Sequence, residues 1–195
     1  MWWRFVSSLF FAFVAFAQSG KEREPKPYDI QEAYDVYAAA LAMDDVKGKL
    51  LIADTTVPFN ECLDPRSDKL ADAAIDDYKE TNKARWRLLP KFGLKRNYQL
   101  LSSEDIKRLQ RSDPKGGFFW YFPPGVKLIH FSAVGFNADR TIAFVEMDVQ
   151  CGGLCGHGSP FLLQKRKSKW GEYSPPWVEN PDGTIQGITS CSWNY

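Results

Sequence analysis

Histidine is nearly absent from this chain: His130 and His157 are the two in 195 residues. A serine or cysteine hydrolase therefore has few imidazoles to use as a base. The sequence also lacks a Gly-x-Ser-x-Gly nucleophile turn, a phosphate-binding glycine loop and a His-Glu-x-x-His pair, so no enzyme class is signalled by motif. Paired carboxylates for glycoside hydrolysis need no fixed spacing, and nothing positive points to them. An excess of charge is missing too. Lys and Arg number 25 against 24 Asp and Glu, which gives nucleic acid or an anionic membrane surface little to hold. Long apolar runs are equally scarce. The run from Phe5 to Phe16 is broken by Ser7 and Ser8 and covers about 12 residues, where a membrane span needs about 20.

That short run has the plan of a secretory signal peptide, with Arg4 ahead of it and Ala15-Phe16-Ala17 as a small-x-small cleavage site. Residues 1–17 are expected to be removed, leaving no membrane segment; an uncleaved anchor is the competing reading. Loss of Arg4 leaves the two signs balanced. Residues 18–28, charged and proline-containing without an apolar period, read as a linker, and 29–195 as a single domain. With 44% hydrophobic and 15% aromatic residues, the remainder has the composition of a packed core. The implied location is the periplasm or the exterior.

Periodicity supplies the elements. Asp29 with Glu32 makes a capping box, and Ile30, Ala33, Tyr34, Tyr37, Ala38 and Leu41 then share one face of a helix that ends near Asp45. Leu50 to Ala53 is a short strand, and Asp54-Thr55-Thr56 closes it as an Asx or Thr turn. A second helix is expected over Asp68 to Leu88, with Leu70, Ala74, Tyr78, Asn82 and Trp86 in a row and Pro90 as its stop. Asn97 to Leu101 is strand-like, and Ser102-Ser103-Glu104-Asp105 opens a short helix. Later the period changes to two. Leu128 to Phe136 and Thr141 to Val149 are strands joined by a turn at Asn137 to Arg140; Phe161 to Gln164 and Lys169 to Tyr173 follow, separated by a turn at Lys167-Ser168. In the second of these strands Glu146, Asp148 and Gln150 share a face expected to reach water. The order predicts an α+β fold in which N-terminal helices cover one face of a curved antiparallel sheet, a meander of cystatin-like or nuclear-transport-factor-like shape.

Chemistry concentrates in QCGGLCGHGSPF, residues 150–161, expected as the loop of a hairpin. Gly152 and Gly153 allow a fold tight enough for a local Cys151–Cys155 disulfide. Cys62 and Cys191 would then form a second bridge. Four cysteines allow three connectivities, so crossed pairings with Cys62 and Cys191 stay open, and an exported chain favours pairing of some kind. The functional alternative makes Cys151, Cys155 and His157 a copper or zinc site, or the two cysteines a redox pair. The spacing is Cys-x-x-x-Cys and not Cys-x-x-Cys, and no further ligand cluster stands near.

Ser132-Ala133-Val134-Gly135-Phe136-Asn137, Arg140-Thr141, the glycine-flanked cysteines through Gly158, Phe161 to Lys165 and Lys169-Trp170 together resemble a pattern in uncharacterised secreted bacterial proteins. The resemblance covers about residues 128–171. It implies an exported domain and brings no catalytic residues.

His130, between Ile129 and Phe131, reads as a hydrogen-bonded sheet residue. Phe118 to Phe122 fits a core strand, whereas the aromatics near the C-terminus, Trp170, Tyr173 and Trp177, are candidates for a surface that binds an unknown protein, peptide or glycan. The basic cluster Lys165-Arg166-Lys167 fits a solvated hairpin end. The sequence thus predicts a disulfide-stapled, cofactor-free binding domain in preference to an enzyme, with the thiol-redox or metal protein as the alternative.

Overall fold

Alternation of period two from Ile142 to Val149 builds the strand around which the other elements are arranged. The computed structural model describes residues 24–44, 46, 49–58, 68–109, 111–112, 120–121, 126–152, 155–173, 178–179, 185–186 and 193–194. The expected signal peptide, the start of the linker, Cys62, Trp177 and Cys191 lie outside them. In chain order the described elements are β1 (Lys26–Pro27), α1 (Gln31–Met43), β2 (Lys49–Ala53), α2 (Lys69–Thr81), β3 (Trp86–Arg87), β4 (Tyr98–Leu101), α3 (Ser103–Leu109), β5 (Arg111–Ser112), β6 (Trp120–Tyr121), β7 (Val126–Phe131), β8 (Gly135–Phe136), β9 (Ile142–Gly152), β10 (Cys155–Arg166), β11 (Lys169–Glu172), β12 (Val178–Glu179), β13 (Ile185–Gln186) and β14 (Trp193–Asn194).

The fold is α+β, helices on a mostly antiparallel sheet. The main sheet runs β11-β10-β9-β7-β2-β4, with β8 added to β9 and β14 to β10. From β7 to β11 it is an antiparallel meander. The sheet is nonetheless mixed, because β2 lies parallel to both β4 and β7. The helices also divide between the two faces, where the sequence predicts one. Ala143, Val145, Met147 and Val149 of β9 join the core beneath α1, which buries Ala33, Tyr34, Val36, Tyr37, Ala40 and Leu41. Their neighbours Ile142 and Phe144 point the other way, onto Ala71, Ala74, Ile75 and Tyr78 of α2. Farther along that second face, Leu51, Leu101 and Leu128 pack with Ile106 and Leu109 of α3. Each large side chain fully buried in these clusters contributes about 1.5–3 kcal/mol before conformational entropy is charged against it.

Local departures from the predicted elements have plain causes. The capping box at Asp29 does not form: Ile30 is the N-cap of α1 without a side-chain bond, Asp29 pairs with Lys91, and Glu32 is taken by Lys165 and Arg140. The linker gives way to the fold earlier than predicted, since Lys26–Pro27 pair with Trp86–Arg87 and Tyr28 is buried. Helix α2, capped by Asp68 on the Leu70 amide at 2.9 Å, stops at Thr81 and not at Leu88, and Trp86 enters β3. Its buried stripe is Ala71, Ala74, Ile75 and Tyr78, because a helix turns about 100° per residue and a strict four-residue row drifts off the interface. Leu70 is accordingly exposed. The turn at Lys167-Ser168 forms as predicted, with φ of 47° and 66°, the left-handed pair of a two-residue hairpin loop.

The predicted strand 128–136 is interrupted. Phe131 pairs with Met147, but Gly135 pairs with Phe144, so the register slips by one residue across Ser132 to Val134. Side chains supply the hydrogen bonds that a regular ladder would have made. Ser132 Oγ accepts from the Glu146 amide at 2.9 Å, which leaves the Ser132 carbonyl to accept from Tyr37 Oη at 2.9 Å. Asn82 takes both backbone groups of Ala133, accepting from its amide at 2.8 Å and donating to its carbonyl at 3.0 Å. The Tyr28 hydroxyl does the same for Val134, accepting at 3.0 Å and donating at 3.2 Å. Beside this break, α2 lies directly on Gly135, where a Cβ would stand 2.2 Å from the Ala74 carbonyl oxygen and 2.3 Å from the Tyr78 amide nitrogen.

Two outcomes follow for chemical denaturation. Asn82→Ala strands two buried backbone groups and should lower unfolding stability by about 2–4 kcal/mol, more than an Asn→Ala change on the exposed surface. Gly135→Ala should cost at least about 2 kcal/mol, because the opposing atoms are helix backbone and cannot turn aside.

Candidate functional site

Polar groups occur on the second sheet face where the apolar alternation would have continued. Ile142 and Phe144 sit under α2; the next residues facing the same way are Glu146, Asp148 and Gln150, and beyond the strip Leu128, opposite Gln150, belongs to the cluster under α3. His130 of β7 is the register partner of Asp148. On the other flank β10 places Gly158 beside Asp148 and Gly156 beside Gln150, so it contributes no side chain there. The short strand β6 lies against β9.

The expectation that this face reaches water is corrected. Glu146 is 2% and Asp148 3% exposed; α2 covers the Glu146 end through Tyr78, and β6 also lies against β9. Tyr78 Oη donates to Glu146 Oε2, and Gln150 Nε2 donates to Asp148 Oδ2 at 2.9 Å. Burial raises Glu146 to about 7, against a smaller lowering by the Tyr78 hydroxyl. Burial also pushes His130 below the usual imidazole range, opposed by the Asp148 carboxylate. The strip thus combines a carboxyl that titrates near neutrality, an imidazole held neutral there and a second buried carboxyl beside a side-chain amide. Such a group can accept hydrogen bonds, take or give a proton, or attract a cation. His130 and the alternation were visible in the sequence; the burial was not, since α2 reaches this face from far away in the chain.

The cysteine segment is more strand than loop. β9 runs to Gly152 and β10 begins at Cys155, so Cys151 and Cys155 sit on paired strands with a register shift next to Cys155. Cys151 is not a free thiol. His157 faces the α1 side, opposite Val149, and its Nε2 lies 2.9 and 3.0 Å from the two carboxylate oxygens of Asp44, the C-cap of α1. His157 is therefore tied to a helix end whose part in the sequence was only to close α1. No group of metal-ligating side chains is formed among the described residues.

The aromatic candidates divide between the two faces. Trp170 packs into the α1 core, 6.0 Å from the Phe136 ring and with the Lys165 ammonium 5.8 Å from its own ring centre. Tyr173 packs with the α2 cluster and donates to Asp68; burial, with a further push from the Asp68 carboxylate, raises its hydroxyl to about 12. Being three apart on an extended strand, the two point in opposite directions, so they do not line one groove. Asp54, at the end of β2, is engaged in structure: its side chain accepts from Thr55 Oγ1 at 2.9 Å and its carbonyl from the Leu88 amide at 2.7 Å. No family model matches the chain, and no curated protein and no solved structure is significantly similar to it.

The lowered imidazole carries a sign. In the folded protein His130 resists protonation that the unfolded chain accepts freely, so it costs stability as pH falls through about 6.5 toward its folded value. His130→Gln should therefore gain stability relative to wild type at pH 5 compared with pH 8, measured as the difference between urea midpoints of the two proteins at each pH. A pH-independent difference would contradict this.

Proposed function

We propose that the protein is an exported, disulfide-stapled binding domain that receives a polar ligand, glycan or peptide, on the strip formed by His130, Asp148 and Gln150. The observation that carries this reading is the placement of these side chains together on one sheet face, flanked on β10 by Gly156 and Gly158. A stable core gains nothing from a buried carboxylate and a half-buried imidazole at positions where valine and leucine would pack, so their presence here favours a recognition role. The ligand in this reading donates hydrogen bonds, from sugar hydroxyls or peptide amines, to the Asp148 carboxylate and the Gln150 carbonyl. Export is supported by the signal-like N-terminus, and stapling by Cys151, which is not a free thiol. The proposed pairing joins Cys151 to Cys155 and Cys62 to Cys191.

The test is NMR titration of the chain from residue 18 with a panel of soluble oligosaccharides and amine-bearing peptides. At least one probe should shift the resonances of His130 and Gln150, and Asp148→Asn should weaken its binding at least tenfold. Failure of every probe to move those resonances, or equal binding by the variant, overturns the reading. Alkylation without reductant should add no mass. Labelling of Cys151 and Cys155 would instead favour the thiol-redox or metal protein.

A further inference from the structure

The contacts that hold α2 to the sheet differ in kind. Gly135 meets the helix backbone by close approach, Asn82 bonds Ala133 as a neutral amide, and Asp77 Oδ2 accepts from the Phe136 amide at 2.8 Å from an exposed position. The fourth contact joins two buried ionisable side chains across the interface: Tyr78, 2% exposed, donates to Glu146, also 2% exposed. Tyr78 is fixed there by an edge-on contact with Phe144, 4.9 Å between ring centres. We infer that the burial of Glu146 beneath Tyr78 works as a proton-operated latch, α2 seating firmly over the carboxyl when it is neutral and that end of the helix being released when it ionises. This stands whether or not the strip takes a ligand.

The surroundings of Glu146 give the latch its direction. From α2 it is faced by Tyr78, while Asp77 is turned to Phe136 and Asp76 to Lys79 on the exposed side. Along β9 the next group on its face is Asp148, and on β7 the nearest ionisable residue is His130, opposite Asp148. From β10 the register partner is Pro160, between Gly158 and Leu162, none of which ionises. Among the described residues an ionised carboxylate here gains only a tyrosine hydroxyl and faces another carboxyl along its own strand, which leaves its remaining need for solvation to water. Tyr78 is the group of α2 that covers Glu146, so water that solvates the carboxylate from this side has to displace it. The neutral acid has no such need, and it can use its own proton in a hydrogen bond.

Linkage sets the pH window. The carboxyl titrates near 7 in the closed form and near the ordinary 4.5 when solvated, so closed protein holds a proton between those values that open protein lacks. Stability of the latch is full below about 4.5, falls as pH rises, and levels off above 7. The opening equilibrium should then rise about tenfold per pH unit between pH 5 and 7.

Hydrogen exchange of the α2 amides, corrected for intrinsic rates, reads this directly. Wild type should lose protection by about tenfold per unit from pH 5 to 7 and then plateau, while Glu146→Gln should be flat relative to it. A flat wild type, or the same slope in the variant, overturns the latch. Carbon-13 NMR of the Glu146 carboxyl in wild type is independent of whether variants fold: a midpoint near 7 is expected, and one near 4.5 refutes the proposal. Tyr78→Phe removes the donor that favours the ionised form and should move that midpoint upward; a downward move would also count against it.

Discussion

Buried peptide groups at Ser132, Ala133 and Val134 must be hydrogen-bonded although the strand they belong to has lost its ladder, and the rest of the structure is arranged to do this. An orphaned backbone donor or acceptor costs about 1–3 kcal/mol, and this segment would present several. Three parts of the chain distant in sequence send one side chain each: Tyr28 from the N-terminal segment, Tyr37 from α1 and Asn82 from the end of α2. The same bonds therefore fix α1 on one face of the sheet and α2 on the other. Tyrosine suits the position because its ring fills core volume while its hydroxyl reaches a carbonyl. Tyr37 makes both uses, with its ring 4.4 Å from that of Phe131 between centres.

Because the two helices are pinned to opposite faces, the faces can differ in chemistry. Beneath α1 the sheet side is aliphatic and aromatic, with Tyr34 Oη bonded to the Tyr28 carbonyl at 2.6 Å and receiving the Leu89 amide at 2.8 Å. On the other face the apolar ground is split into a patch under α2 and a patch under α3, and the polar strip occupies the gap. The charged cluster of Glu32 with Arg140 and Lys165 stands outside the first face, where water screens it and its contribution to stability is small.

Much of this was legible in the residues, and what was not has identifiable causes. The α+β order, the turn at Lys167-Ser168, the helix opened by Ser102 and Asp105, and most strand positions follow from local pattern. Ser102 and Asp105 do cap each other, with Ser102 Oγ donating to Asp105 Oδ2 at 2.6 Å. The capping box at Asp29 obeyed the same rule and failed, since Lys91 and Lys165 draw its two carboxylates away, and neither partner is local. The polar strip could be read as a shared face but not as buried, because burial depends on which distant elements, Tyr78 of α2 and β6 among them, come to lie on β9. Parity alone would have separated Trp170 from Tyr173, being a property of strand geometry that needs no tertiary contact.

The position of β2 bears on how the chain assembles. It lies in the interior of the sheet, yet both its neighbours, β4 and β7, are made later, and both pair with it in parallel. Hairpins such as β9–β10 and β10–β11 close between sequence neighbours, whereas β2 has to wait for partners across long loops, whose closure is entropically costly and slow. A nascent chain emerging from its N-terminus consequently carries an apolar strand, Leu50 to Ala53, with no edge to join until β4 has followed it, and with one flank still open until β7 is made. The period before that docking is when the polypeptide is most open to intermolecular pairing and to capture by chaperones.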